Sequence, residues 1–193
     1  MPRPSQADQQ RKSLLPIICR VFSELGYRRT TTARLARQCG VRENILYRLW
    51  ADKKAMFLAA IDDIFERRAE TWRELLADRP AAREASQRLV AYEAKHQGEF
   101  GFYRVVFTAL AETDDADIRA ALVRMYRRFH QIVLKRVKAD RERRSLRAGL
   151  PPDFAAWALI GLATVSNIIR ELELLRPGQR ERMFAAVAQW FRP

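Results

Sequence analysis

Apolar residues recur at steps of three and four along nearly the whole chain, the period of one buried face of an α-helix. Leu14, Ile18, Phe22 and Leu25 form the first such row, and Gly26 ends it. Pro16 stands inside that row. It lacks the N–H that a helix interior uses, so the spacing predicts a helix that starts late or bends there. Asp52 is a good N-cap for a second row, Met56, Phe57, Ala60, Ile61, Ile64, Phe65, Trp72, Leu75 and Leu76, which runs on to Pro80. At 1.5 Å per residue such a helix of about 25 residues spans roughly 37 Å. Helical patterns follow at 82–96, 100–112 and 117–145, the last capped by Asp115 or a neighbour. Another runs over 154–175, after the loop "AGLPPD", with Asp153 as its cap. A short last helix carries Met183, Phe184, Val187, Trp190 and Phe191. No stretch alternates apolar and polar residues as a half-buried strand does, so the predicted class is all-α.

The stretch "TTTARLARQCGVRENILYRLWADK", residues 30–53, has a more specific spacing. With Thr32 as position one of a helix-turn-helix, small Ala36 falls fifth, where two helices cross closely. Gly40 falls ninth, where a left-handed backbone is needed and a β-carbon costs about 1 kcal/mol. Leu35, Cys39, Val41, Leu46 and Leu49 take the inward positions, and Thr31 or Thr30 can cap the first helix. The second helix, about 42–50, is then a recognition helix whose N-terminal end meets base edges in the major groove. Arg42, Glu43 and Asn44 stand at that end. Arg reads guanine, Asn adenine and Glu cytosine, each good pair discriminating by about 1–3 kcal/mol. Tyr47 and Arg48, one turn on, suit a phosphate or a thymine methyl. Lys53 adds its charge at the first turn of the long helix, where phosphates are favoured.

Charge supports that placement. The 193 residues carry a net +13, which predicts a polyanionic partner. Residues 1–53 hold eleven basic against four acidic side chains, more than half of the excess in about a quarter of the chain. The basic run "RRFHQIVLKRVKADRERRSLR", 127–147, reads as a solvated outer face in preference to a second DNA site.

The segment "FSELGYRRTTTARLARQCGVRENILYRLWADKKAMF" resembles the N-terminal domain of the TetR/AcrR family of transcriptional regulators. Phe22, Gly26, Tyr27, the threonines, Leu35, Ala36, Gly40, Val41, Leu46, Tyr47, Trp50 and Lys53 carry the likeness. It is close over residues 11–58, and extends to the whole chain in length and helical layout. By position it implies DNA contacts from Thr32, Arg42, Glu43, Asn44, Tyr47, Arg48 and Lys53. Arg42 replaces a common capping Ser or Thr, Ile45 a common Thr or Ser, Leu49 a frequent His and Arg34 a frequent acid. These departures bear on the half-site sequence and not on the docking mode. The resemblance implies a three-helix DNA-binding domain, 1–52, joined by the long helix to an effector-binding and dimerisation domain, 53–193.

In the larger part, "FAAWALIGLATVSNII" (154–169) is apolar around nearly its full circumference and must be covered on all sides. One side can meet its own domain and the other a second subunit, with the last helix adding to a four-helix interface. The expected interface residues are Trp157, Ile160, Thr164, Ile168, Phe184, Val187, Trp190 and Phe191. Aromatic and polar groups at Trp72, Phe102, Tyr103, Phe107, Phe129, Trp157 and Asn167 are candidates for a hydrophobic effector pocket, although aromatics at this spacing also make plain core.

Other chemistries find little support. There is no P-loop, nucleophile elbow, zinc-protease or dinucleotide motif, so an enzyme is not expected. His96 and His130 do not suggest a metal, and no cofactor is implied. Cys19 and Cys39 lie on inward positions and read as small buried hydrophobes. The residues before position 16 lack a signal-peptide core, and 154–169 is short for a membrane span, so a cytoplasmic protein without a membrane partner is expected. The functional expectation is a homodimeric regulator on a pseudo-palindromic double-stranded DNA operator, a repressor released by a small hydrophobic effector. A sequence-independent, DNA-coating protein is the alternative.

Overall fold

Ser5 opens the first helix, its hydroxyl accepting the Asp8 N–H at 3.1 Å. The computed structural model of the chain describes residues 5–76, 92, 102–142 and 149–190. The expected helix at 82–96, with His96, and Phe191 lie outside them, as do the side chains of Phe102 and Trp190. Among the described residues there are eight helices and no strand: α1 (Gln6–Arg29), α2 (Thr32–Cys39), α3 (Glu43–Leu49), α4 (Lys53–Leu76), α5 (Phe102–Leu110), α6 (Ala116–Glu142), α7 (Pro152–Glu171) and α8 (Pro177–Trp190).

Pro16 neither delays nor breaks α1, contrary to expectation. The helix begins ten residues earlier, and its one non-helical residue is Gly26, at φ 74° and ψ 171°. That backbone is open only to glycine. A β-carbon there would meet Thr108 Cγ2 at an ordinary 3.8 Å, so conformation and not crowding requires glycine.

The caps follow the side-chain chemistry with one exception. Thr31 caps α2 by accepting from Arg34 N–H at 3.2 Å, and Asp52 caps α4 by accepting from Ala55 N–H at 2.7 Å. Asp115 takes the N–H groups of Asp117 and Ile118 at 2.9 and 3.2 Å to open α6. Asp153 was expected to cap α7, but that helix starts at Pro152 and has no side-chain cap. A proline at the first position has no N–H to satisfy, so the start moves forward and Asp153 falls inside the first turn.

The described chain divides into two compact units. The first comprises Met1–Arg67 with Phe100–Met125, the second Arg68–Glu99 with Tyr126–Pro193. The first takes in more than the 1–52 expected from the sequence, because α5 lies against α1 and the start of α4 also packs on α1. Phe22 and Phe57 meet edge-on at 4.8 Å between centroids, and Tyr27 lies 4.8 Å from Phe57. Ile18, Leu35, Leu46, Met56 and Phe57 are fully buried around them.

Two ion-pair groups fasten the α5–α6 turn within this unit. Arg28 Nε meets Glu112 Oε1 at 2.8 Å, and Lys54 Nζ reaches Asp115 at 3.2 Å and Asp117 at 2.6 Å. In the second unit Trp72 and Phe129 pack at 4.7 Å, and Ala155, Ala156, Leu159, Ile160, Ala163 and Phe184 are buried.

At 20 residues α7 is longer than the 154–169 run and apolar enough, by length and composition, to cross a membrane. Its buried stripe also carries Ser166 and Asn167, and it packs against α6 in the second unit through the His130–Trp157 ring stack. Those features are those of a core helix.

Candidate nucleic-acid interface

Gly40 turns the chain between α2 and α3 in the left-handed conformation, φ 65° and ψ 29°, as the spacing required. Its N–H bonds back to Arg37 O at 3.2 Å, and the Val41 N–H reaches Ala36 O at 3.0 Å. Leu35, Ala36, Leu46 and Leu49 are buried between the helices, whereas Cys39 and Val41 are only half-buried. They flank the turn at Gly40.

The N-terminal end of α3 faces solvent. Arg42, Glu43 and Asn44 are all exposed, and Arg42 stands at the N-cap without a side-chain hydrogen bond. A Ser or Thr there would satisfy an N–H of the first turn. With Arg, those N–H groups and a guanidinium share one exposed end, an arrangement that attracts phosphate and base acceptors alike.

Further along, side chains are tied in pairs. The Thr32 hydroxyl and the Tyr47 phenol are 2.9 Å apart, linking the start of α2 to the middle of α3, while the Tyr47 ring stays 49% exposed. Arg48 Nη2 donates to Gln10 Oε1 at 2.9 Å. Arg11 Nε donates to Leu49 O at 2.8 Å, covering one of the carbonyls that the end of α3 leaves open. Gln10 and Arg11 had not been singled out. Nothing local in the sequence marks them, since their partners lie 38 residues away.

Lys53 is half-buried and turned inward. Its ammonium donates to Tyr27 O at 3.0 Å and lies 4.3 Å above the Tyr27 ring. One N–H and one cation–π contact thus hold the start of α4 to the end of α1, which leaves the other N–H groups of the ammonium for a phosphate.

Cys19 is buried, with Asp63 Oδ2 and Ala60 O within 3.8 Å of its sulfur. Burial, with the Asp63 charge beside it, pushes its thiol up to about 12, so it stays protonated and unreactive. Among the described residues no group of three potential metal ligands comes together.

The expected pocket residues fall in both units. Tyr103 and Phe107 belong to the first, with ring centroids 6.2 Å apart. Trp72, Phe129, Trp157 and Asn167 belong to the second. Asn167 is buried and donates to Ala163 O at 2.6 Å, but among the described residues its Oδ1 has no hydrogen-bond partner, and neither has the buried Ser166 hydroxyl. A surface hollow of about 340 Å³ is lined by Arg176, Gly178, Gln179 and Arg182, none of them an expected pocket residue.

The expected subunit-interface set also divides. Ile160 and Phe184 are buried within their own unit at 5% and 2% exposure, and so leave no surface for a partner. Thr164 is half-buried and bonded to Ile160 O. Trp157 and Ile168 are exposed, and Phe154, Val165 and Leu172, not assigned beforehand, are exposed with them. Their spacing of three, four, seven or eight residues is itself a helical stripe, legible once the opposite stripe is known to be core. Trp157 also stacks on His130 at 4.5 Å, and His130 Nε2 lies 3.2 Å from Asp153 Oδ1.

Comparison with known proteins points to the same segment. Residues 18–60 match the family described as bacterial regulatory proteins, tetR family. The nucleoid occlusion factor SlmA of Haemophilus ducreyi is 42% identical over 64 residues, 33% of this chain and 32% of that protein. The SlmA of Haemophilus influenzae is 42% identical over 57 residues, 30% and 26% of the two chains. The match thus covers about a third or less of these relatives' length.

Solved structures agree in fold along nearly the full chain. A TetR-family regulator from Cytophaga hutchinsonii superposes with a TM-score of 0.82 at 14% identity, covering 99% of this chain and 98% of that one. The regulator FadR of Bacillus subtilis, solved with stearoyl-CoA, gives 0.72 at 14% identity, covering 92% and 95%. Residues 18–60 are thus similar to the tetR family of bacterial regulatory proteins, and the fold agrees with that of solved regulators along nearly the full chain.

Proposed function

We propose that the chain is a sequence-specific DNA-binding transcriptional regulator, a homodimeric repressor released from a pseudo-palindromic operator by a small hydrophobic effector. The observation that carries this reading is the helix-turn-helix itself. Gly40 sets the turn, and Arg42, Glu43 and Asn44 stand exposed at the N-terminal end of a helix whose other face is buried. Base-reading side chains in that position fit direct readout in a major groove, with Thr32, Tyr47, Arg48 and Lys53 nearer the phosphates.

Dimerisation is supported by the apolar stripe of α7. Trp157, Val165, Ile168 and Leu172 are 43, 49, 36 and 63% exposed along one side of a helix whose opposite side is core. Such a patch on a soluble regulator fits a self-complementary interface about a two-fold axis, and two recognition helices about one helical turn apart follow from it. In this reading residues 1–52 hold the DNA-binding elements and 53–193 the effector and dimer functions.

An effector is supported by Asn167 Oδ1 and Ser166 Oγ, buried on α7 without partners among the described residues. Leaving such groups unpaired costs about 1–3 kcal/mol each, which a ligand with a hydrogen-bonding group would offset. The stearoyl-CoA held by the Bacillus subtilis structure is one example of a ligand with a long apolar chain in this fold. Helix α4 contributes residues to both units and is the covalent route by which an effector would reset the spacing of the recognition helices.

The test is a footprint titration on DNA upstream of the protein's own gene, with excess competitor, at two salt concentrations. A protected pseudo-palindrome that survives competition supports the regulator. Uniform coverage that vanishes with salt would favour a second reading, DNA occupancy without sequence preference. That alternative draws support from the net charge of +13 and from the name of the relatives, nucleoid occlusion factor.

A further inference from the structure

Residues 127–141 of the basic run sort their charges on α6 in a way the sequence did not reveal. Arg127, Arg128, Gln131, Lys135, Lys138 and Arg141 are all exposed, while Phe129, Val133, Val137 and Asp140 are buried. At 100° per residue the exposed six fall in one arc of roughly 140°, and Arg127 to Arg141 spans roughly 21 Å of helix. The one acid in that span, Asp140, is 1% exposed and pairs with Arg136, so it does nothing to balance the outer face. Glu142, exposed one residue on and four from Lys138, falls on the same arc and balances only its C-terminal end.

A merely solvated helix face interleaves its signs, because opposite charges at i+3 and i+4 help and like charges repel. Here Lys135, Lys138 and Arg141 follow one another at steps of three with no exposed acid between them. That repulsion is relieved when a polyanion lies along the stripe. We propose that this face of α6 is a second nucleic-acid-binding surface, which grips the phosphate backbone of a duplex without reading its bases.

Gln131 adds a neutral hydrogen-bonding group suited to phosphate, and the apolar side chain within the arc, Leu134, is half-buried. A helix lying on a lipid surface needs an apolar face turned to the acyl chains, whereas the apolar face of α6 is already buried in protein. The inference rests on the reading above in one respect. The helix-turn-helix is taken as the first DNA-binding surface, and the α6 face as a second, sequence-independent one.

The experiment measures full-length protein binding to a fluorescent random-sequence duplex across a salt series. It compares wild type with Arg127→Gln/Lys135→Gln/Lys138→Gln/Arg141→Gln and with Arg42→Gln/Tyr47→Ala in the helix-turn-helix. Each neutralised phosphate contact removes about 0.9 from the slope of log affinity against log salt. The α6 variant should therefore have a slope shallower by about 3 to 4, and the helix-turn-helix variant should keep residual duplex binding that vanishes when the two sets are combined. Should the fourfold variant fail to fold, Lys135→Gln/Lys138→Gln should still remove about 1.8.

A wild-type slope in a folded α6 variant overturns the proposal. So does an unchanged duplex slope accompanied by lost pelleting with phosphatidylglycerol vesicles, which would mark a membrane surface. If the α6 variant loses binding while the helix-turn-helix variant does not, this surface stands and the regulator reading falls. The converse removes this surface alone.

Discussion

The hydroxyls of Thr32 and Tyr47, fifteen residues apart in sequence, lie 2.9 Å from each other. The pair closes the helix-turn-helix on its exposed side, opposite the buried contacts of Leu35 and Leu46. A tyrosine ring on a helix surface samples several rotamers, and this bond selects one before any DNA arrives. Tyr47→Phe keeps the ring and removes the bond. We expect an operator affinity about two- to tenfold lower, the equivalent of about 0.5–1.5 kcal/mol, with thermal stability nearly unchanged. Titration of a recognised duplex beside a melting curve checks both halves.

Gly40→Ala tests the turn. A β-carbon at this position meets nothing within 4 Å, so the whole cost is that of a left-handed backbone at φ 65°. That cost is about 1 kcal/mol, and in a chain of this size it lowers the melting temperature by about 2–4 °C. A loss several times larger would mean that the turn is crowded after all.

The Lys54–Asp115 contact gives a pH signature. The Ile118 N–H and then Lys54 hold the Asp115 carboxyl below the usual carboxylate range, while Asp117 and Asp115 raise Lys54 above the usual lysine range. A lowered carboxyl contributes stability that is present above its unfolded value and lost as pH falls through the folded one. A raised lysine contributes below its unfolded value and loses it as pH rises through the folded one. The plateau therefore runs from about pH 4 to about pH 10. Asp115→Asn keeps the capping oxygen and removes the charge. Its melting temperature should sit below wild type by a constant amount between pH 5 and 9, and the gap should close below about pH 4. A gap that persists there would assign the effect to the cap.

Val165→Lys places a charge in the middle of the exposed apolar stripe of α7. Sedimentation velocity should show a monomer in place of a dimer, with helical content unchanged because Val165 is already 49% exposed in its own unit. An unaltered dimer would move the interface elsewhere.

Much of the architecture was legible because local rules and burial agreed. Gly40, Thr31, Asp52 and Asp115 do what their types and spacings predict, since caps and turns are decided within four residues. Pro16 and Asp153 misled where local rules competed with the extent of a helix. The start of α1 at Ser5 lies outside any apolar row, and Pro152 took the place of a cap at α7.

The candidate interface was legible as a list of positions and not as a set of bonds. Arg48 with Gln10, Arg11 with Leu49 and Lys53 with Tyr27 join residues 26 to 38 apart, for which no periodicity exists. On α7 the all-round apolar sequence concealed which side was core. Ile160 proved to be inward and Val165 outward, a distinction that only packing makes.

The recognition helix has seven residues, barely two turns. Isolated helices shorter than about 12–15 residues scarcely form in water, because the first turn costs more order than its one bond repays. Glu43–Leu49 therefore has little tendency to be helical by itself. Its shape depends on the buried Leu46 and Leu49 and on Arg11, whose guanidinium holds the final carbonyl. The exposed N-terminal end of α3 is thus a conformation maintained by the first turns of α1, and a chain shortened past Arg11 would keep Arg42, Glu43 and Asn44 yet lose the rigid frame that aims them.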